Sequence, residues 1–296
     1  MLEDTTIGFI GGGVMGEAMT RGVLTKKVVK PKRVIVSDVR EDRVAELTER
    51  YGIRGTLSNC EVAQEVDVLV LAVKPQVISR VLDELRGCVK ASALVLSIAA
   101  GVPIRTIADG LAHAAVVRAM PNTPAQIGEG ITVWAGTPQV NAAQLTQTET
   151  ILSAFGEHVQ VDDESYLDMA TALSGTGPAY IFLFMEALVD AGVHLGFSRH
   201  IAEKLVLQTM RGAVDYAAQA GRHLATLRNQ VTSPGGTSAE AIYHLEKGGL
   251  RTVISRAVWA AYQRSVALGG GTPPGARLGG RSPEGDQFAG NNTPGK

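Results

Sequence analysis

The sequence predicts an α/β chain in two parts: an N-terminal Rossmann-type parallel-sheet domain, then an all-α domain. Three observations predict it. A glycine fingerprint, Gly11-x-Gly13-x-x-Gly16, stands between a short apolar run and a helical stretch. Three later apolar runs, over residues 67–73, 93–98 and 114–119, have no polar alternation, as suits strands covered on both faces. Beyond Asp162-Asp163-Glu164 the strand signal stops and helical periods take over. The spans are therefore 1–163 for the dinucleotide-binding domain, 164–268 for the helical domain and 269–296 for a tail. A chain of 296 residues is long enough for two real cores. Apolar content of 45%, charged content of 19% and a net charge of −1 are ordinary for a soluble globular protein and speak against nucleic acid as a partner.

Taken in order, Thr6-Ile7-Gly8-Phe9-Ile10 reads as the first strand. Gly11 allows a tight turn, Gly13 close approach of a pyrophosphate, and Gly16 helix–strand packing; Gly12, Val14 and Met15 fill the loop between them. Val34-Ile35-Val36-Ser37 reads as the second strand, with Asp38 at its end. An acidic residue there can accept from an adenosine ribose 2′-hydroxyl, which favours NAD, whereas Arg40 could hold the 2′-phosphate of NADP. Asp38 could equally cap the helix that carries Val44, Ala45 and Leu47. The next runs end at Lys74-Pro75, at Ala99-Ala100-Gly101 and at Met120-Pro121-Asn122-Thr123-Pro124. Ligands of open parallel sheets bind beyond the carboxyl ends of the strands, so all three turns are expected to border the cofactor. A helix over 141–155 and a strand over 158–161 complete the domain.

The second domain reads as helices over 168–174, 178–195, 199–220 and 238–268. The stretch Ala179-Tyr180-Ile181-Phe182-Leu183-Phe184-Met185 is apolar all round and must be buried on every side. That predicts either a homodimer sharing a helical core or a helix at the heart of a single bundle. The segment 178–195 carries Glu186 and Asp190 and is read as too short and interrupted to span a bilayer. Ser233-Pro234-Gly235-Gly236-Thr237-Ser238 reads as a glycine-rich turn feeding a helix, with Thr237 and Glu240 at capping-box spacing. Unpaired amides and the positive end of the helix would favour a small carboxylate; an ordinary capped turn is the plainer alternative. From Gly269 on, Gly and Pro dominate and a disordered tail is expected. Cys60 and Cys88 are neither a disulfide framework nor a zinc set, which predicts a reducing compartment. Met1-Leu2-Glu3-Asp4 is unlike a signal peptide, so a cytoplasmic protein with no membrane contact is expected. Six scattered histidines predict no metal.

Several motifs together resemble the pyrroline-5-carboxylate reductase family, over about residues 6–268. They are Gly-Phe-Ile-Gly-Gly-Gly-x-Met-Gly at 8–16, Ala72-Val73-Lys74-Pro75, Ser97-Ile98-Ala99-Ala100-Gly101 and Arg118-Ala119-Met120-Pro121-Asn122-Thr123-Pro124. To these are added Leu173-Ser174-Gly175-Thr176-Gly177-Pro178-Ala179-Tyr180 and Ser233-Pro234-Gly235-Gly236-Thr237, both specific to that family. The resemblance implies NADP- or NAD-dependent reduction of 1-pyrroline-5-carboxylate to L-proline by a homodimer or larger ring. It implies cofactor contacts at Ile10, Gly11, Gly12, Gly13, Val14, Met15, Asn59, Ala72, Val73, Lys74, Pro75, Ile98, Ala99 and Ala100. It implies substrate contacts at Val231, Thr232, Ser233, Pro234, Gly235, Gly236, Thr237 and Ser238. The carboxylate would sit on the amides of residues 236–238, with Thr237 and Ser238 as the candidate catalytic hydroxyls. Three departures stand out: Ser238 in place of a second Thr, His223-Leu224 in place of His-Pro, and Asp38 in place of a small or basic residue. A β-hydroxyacid dehydrogenase is disfavoured because no Lys follows Gly175-Thr176-Gly177; a reductase of another cyclic imine and a non-catalytic nucleotide sensor stay open.

Overall fold

Uninterrupted β-branched and leucine runs fit strands that are covered on both faces, and the sheet is built from them. The computed structural model describes residues 2 and 4–272. The first domain contains β1 (Ile7–Ile10), α1 (Val14–Thr25), β2 (Val34–Ser37), α2 (Glu41–Tyr51), β3 (Arg54–Thr56), α3 (Asn59–Glu65) and β4 (Val68–Leu71). It continues with α4 (Ile78–Leu85), β5 (Leu94–Ser97), α5 (Ile104–Leu111), β6 (Val116–Met120), β7 (Gly130–Gly136), α6 (Ala142–Leu152) and β8 (Gly156–Gln160). One sheet runs β3-β2-β1-β4-β5-β6-β7-β8, parallel except where β7 pairs antiparallel with β6.

Every residue of β1, β2, β4 and β5 is buried. Side chains alternate across the pleat, so one strand feeds two cores. Val68 and Val70 join Phe9, Met19, Leu47, Trp134 and Phe155 on one face. Leu69 and Leu71 join Ile10, Val81, Leu85, Ile107 and Leu167 on the other. The strand order turns about β1 and β4, whose carboxyl ends lie side by side with Ile10 opposite Leu71. That is where a doubly wound sheet opens its crevice.

The helical part comprises α7 (Ser165–Ala170), α8 (Gly177–His194), α9 (Arg199–Ala220), α10 (Leu224–Gln230), α11 (Thr237–Lys247) and α12 (Leu250–Leu268), with a π-helical turn over Thr171–Gly175. Arg118, 3% exposed in β6, fastens it to the sheet. Its guanidinium donates to Glu164 Oε1 at 2.8 Å and to Asp168 Oδ1 at 3.1 Å; that same Asp168 oxygen accepts from Ser265 Oγ of α12 at 2.8 Å.

Several elements differ from the sequence reading. β3, β7 and α10 had no distinct signal, because two are short and β7 is broken by Thr132 and bounded by glycines. The stretch expected as one helix over 238–268 is two, broken where Gly248 and Gly249 end α11; Gly249 has a φ of 73°, in the left-handed region that glycine enters at little cost. The helical run around α8 extends over Ser165–His194, long and apolar enough by length and composition to cross a membrane, where the sequence reading gave a shorter segment. It is not the heart of a bundle either. Phe182 and Leu183 are 62% and 67% exposed, and Val189 is the one residue of α8 that is buried among the described residues. Cys60 and Cys88 form a disulfide, with Cα atoms 5.3 Å apart. Two cysteines spaced 28 residues apart carry no pairing signal in the sequence; α3 and the end of α4 bring them together in space. The expectation of a reducing compartment thereby loses its ground. Of the expected tail, residues 273–296 lie outside those described, while Gly269 and Gly270 form a turn after α12 that packs on Gly101.

Candidate functional site

A cleft of about 270 Å³ opens at the carboxyl ends of β1 and β4. It is built from the glycine turn upward. The Gly11 N–H donates to the Ser37 carbonyl at 2.8 Å, and Gly11 has a φ of 100°. A Cβ on Gly16 would stand 2.1 Å from the Gly11 carbonyl oxygen, so α1 can leave the turn this closely only with glycine there. A Cβ on Gly13 would meet nothing within 4 Å. That empty space in front of the α1 N-terminus fits a pyrophosphate resting on backbone amides.

Of the residues proposed from the sequence for the cofactor, Ile10, Gly11, Gly13, Asp38, Asn59, Ala72, Val73 and Lys74 line the cleft. Gly12, Val14, Met15 and Gly16 belong to the turn and first helical turn beside it, Pro75 begins the short helical turn after Lys74, and Arg40 precedes α2. Ile98, Ala99 and Ala100 follow β5, one strand further along; the Ile98 N–H donates to the Leu71 carbonyl at 3.1 Å. Ser37, Val39, Val77, Arg80 and Val81 also line the cleft and were not foreseen. Ser37 was readable as the end of a strand, but the α4 residues reach the cleft only through the fold.

Asp38 does not cap α2, which has no side-chain cap. Its Oδ2 accepts from the Gly12 N–H at 2.8 Å and its Oδ1 from the Arg40 N–H at 3.0 Å. Asn59 Oδ1 accepts from Ser37 Oγ at 2.7 Å and its Nδ2 donates to Glu84 Oε2 at 2.7 Å, joining α3, β2 and α4 around the cleft. Behind the turn, Arg43 donates through Nε to the Gly12 carbonyl at 2.7 Å and pairs with Glu17 and Glu46. Glu17 also accepts from Arg50 at 2.6 Å and from Tyr51 Oη at 2.7 Å. Burial pushes its carboxyl up, but the bonds from Arg43, Tyr51 and Arg50 outweigh this and hold it down at about 2.

The loop 120–124 was expected to border the cofactor; in the fold its Asn122 faces the π-helical turn. Asn122 Nδ2 donates to the Ser174 carbonyl at 3.2 Å, and its Oδ1 accepts from the Ile131 N–H at 3.0 Å. A Cβ on Gly175 would come 2.7 Å from Met120 Cε. This contact sets the start of α8 against the sheet.

The residues proposed for substrate form a separate group. Val231, Thr232, Ser233, Pro234, Gly235 and Gly236 make the turn between α10 and α11, and Thr237 and Ser238 are the first two residues of α11. The Gly235 φ of 72° makes the turn possible. Gly236, not Thr237, is the N-cap, so the capping box expected with Glu240 is absent. The Gly236 N–H is taken by the Ser233 carbonyl at 3.0 Å, while those of Ala239 and Glu240 bond to the Gly236 carbonyl. Among the described residues the N–H groups of Thr237 and Ser238 have no backbone partner. Two adjacent free amides and two hydroxyls at the start of an eleven-residue helix suit a small anion. No cluster of His, Cys, Asp and Glu among the described residues could hold a metal ion.

Comparison with known proteins agrees along nearly the whole chain. Residues 164–268 match the family described as pyrroline-5-carboxylate reductase dimerisation, and residues 6–101 match NADP oxidoreductase, coenzyme F420-dependent. A pyrroline-5-carboxylate reductase of Synechocystis is 44% identical over 263 residues, covering 89% of this chain and 98% of its own. That of Escherichia coli is 36% identical, covering 88% and 97%. The crystal structure of a Plasmodium falciparum pyrroline carboxylate reductase with NADP bound superposes with a TM-score of 0.83 at 32% identity, covering 90% of this chain and 98% of that one.

Proposed function

The chain belongs to the pyrroline-5-carboxylate reductase family, and from that premise we infer how its residues divide the work. It is an NAD(P)H-dependent oxidoreductase that reduces the cyclic C=N bond of 1-pyrroline-5-carboxylate to L-proline, the last step of proline synthesis. The bound nicotinamide dinucleotide supplies the hydride.

The protein's part is placement. We assign cofactor binding to residues 1–163, where the Gly11–Gly16 turn receives the pyrophosphate and Asp38, Asn59 and the 72–75 turn flank the dinucleotide. Residues 164–268 hold the substrate and the second protomer. The substrate carboxylate is assigned to the free N–H groups of Thr237 and Ser238 with their hydroxyls, which fixes one face of the ring toward the cofactor; orientation of this kind lowers a barrier by up to about 7–11 kcal/mol. A protonated imine is already electrophilic and hydride addition to it needs no further proton, so a strong general acid is not required; if the imine arrives neutral, Ser238 or a water it holds is the donor we propose.

Among the described residues the 231–238 turn bonds only to its own neighbourhood, as in Thr232 Oγ1 donating to the Arg228 carbonyl at 2.7 Å. α11 packs on α12 and has no buried residue. Hence a homodimer is proposed, in which the exposed face of α8 is covered by the partner and one protomer's turn meets a cleft on the assembled surface. A cytoplasmic site of action is proposed on the role in amino-acid synthesis. The observation that carries the reading is the coexistence of a dinucleotide cleft at the β1/β4 crevice with an anion-receptive helix start in a relative-matched helical domain. The test is oxidation of reduced nicotinamide by the purified protein with 1-pyrroline-5-carboxylate, with proline identified as product. Cofactor binding without any oxidation would sink the reading and leave a sensor.

A further inference from the structure

We infer that Asp38 sets the coenzyme preference, so that this chain takes NADH ahead of NADPH. The inference rests on the reductase reading above and sharpens it. Asp38 lines the cleft just past β2, and both of its oxygens are fixed by backbone N–H groups: Oδ2 by Gly12 at 2.8 Å and Oδ1 by Arg40 at 3.0 Å. An ionised carboxylate has about four acceptor positions, so two remain, where the adenosine ribose arrives. A 2′-hydroxyl is a donor and suits them. A 2′-phosphate has only acceptors and a like charge, and the carboxylate cannot swing aside without releasing the glycine turn.

The guanidinium groups nearby do not rescue the phosphate. Glu41 and Asp42 occupy the first turn of α2, the other feature to which a 2′-phosphate could turn. Arg43 is committed to Glu17, Glu46 and the Gly12 carbonyl, and its side chain is 11% exposed. Arg40 stands 3.9 Å from Asp42, and Arg80, on the far wall, 3.6 Å from Glu84. Each nearby guanidinium thus has an acidic neighbour of its own, and none of these pairs neutralises Asp38. Like-charge juxtaposition costs several kcal/mol when water is excluded, and about 1.4 kcal/mol already gives tenfold discrimination.

The test measures dissociation constants of NADH and NADPH by cofactor fluorescence without imine, and kcat/KM for each coenzyme with 1-pyrroline-5-carboxylate. The wild-type protein should favour NADH by about tenfold or more in both measures. Asp38→Ser should bring NADPH up and NADH down until the ratio reverses. Asp38→Asn keeps an acceptor for the Gly12 N–H and removes the charge, and should narrow the ratio without a general loss of binding. A wild-type preference for NADPH overturns the inference. So does an Asp38→Ser variant that weakens both coenzymes equally, which is what loss of the turn's support alone would do. If no proline forms with either coenzyme the reductase reading fails, and the two dissociation constants still decide the preference.

Discussion

The two halves of the chain bury their apolar residues in opposite ways. In the sheet domain four strands are completely buried and two cores fill the space between sheet and helices. In the helical domain α11 has no buried residue, and α8 and α9 have one each, Val189 and Ala202. Phe182, Leu183, Leu207, Val214 and Trp259 are all at least half exposed, and an apolar hollow of about 720 Å³ lies between Met169, Leu173, Trp259 and Tyr262. Exposed apolar surface on this scale marks a site of interaction. The first half closes its cores within the chain, with Leu167 of α7 completing one of them, while the second leaves an apolar face open, the face on which the proposed dimer rests.

The sharpest way to break that comparison is to charge the open face. Leu183→Glu touches nothing buried in the single chain, since Leu183 is 67% exposed there. Burying an unpaired carboxylate at the centre of an interface costs several kcal/mol, so the variant should be monomeric by light scattering and lose about a hundredfold or more in turnover. A dimer with full activity would show that α8 is not the shared surface. The next largest effect lies at the joint between the halves. Arg118→Ala leaves Glu164 and Asp168 without their buried cation and should cost about 3–5 kcal/mol in denaturant unfolding. Unchanged stability would mean that the two halves are not coupled through β6.

A third test concerns how the sheet domain is held around its cleft. The Cys60–Cys88 disulfide closes a loop of 28 residues between α3 and the end of α4, the two helices that also share the Asn59–Glu84 bond. Chain-entropy arguments give such a loop about 3–4 kcal/mol. Reductant should lower the unfolding midpoint of the wild-type protein and leave that of Cys60→Ser unmoved. If reductant changes neither, the thiols are free in solution and a reducing compartment is again the simpler expectation.

The same contrast explains what could be read from the sequence. The sheet domain was legible because its strands are short apolar runs with punctuating glycines, and a buried parallel strand needs nothing else. The glycine turn, Asp38 and Lys74 could be placed because a doubly wound sheet brings loops at the carboxyl ends of its strands together. Arg80 and Val81 could not, since they reach the cleft from the first turns of α4, whose sequence shows only amphipathic spacing. β7 was missed because Thr132 interrupts it and glycines at both ends, Gly130 and Gly136, leave only a short apolar run. The Cys60–Cys88 pairing and the Arg118–Glu164–Asp168 cluster are contacts between distant residues, and no local pattern announces them. In the helical half, the apolar stretch 179–185 was legible as a face needing cover, but the break at Gly248 and Gly249 was hidden by continuous helical periodicity on either side. The family-specific motif at 233–237 located the turn, while the roles of its individual amides depended on Gly236, not Thr237, being the cap.

The smallest expected effect tests whether the sheet domain also carries its own electrostatic anchor. Glu17 sits in the first turn of α1 and gathers Arg43, Arg50 and Tyr51 behind the glycine turn. Its carboxyl is held at about 2 against an ordinary 4.5. A carboxylate with a lowered native pKa contributes stability that is fully present above the unfolded value and is lost as the pH falls toward the native one. The wild-type protein should therefore lose on the order of 1–3 kcal/mol between about pH 5 and pH 2 from this group. Glu17→Gln should cost a similar amount at neutral pH and show a correspondingly flatter acid limb. Because Arg43 also holds the Gly12 carbonyl, the variant should weaken coenzyme binding slightly and leave the oligomeric state unchanged. A variant with unaltered acid unfolding would show that the cluster is solvated and that apolar packing alone holds α1 and α2 together.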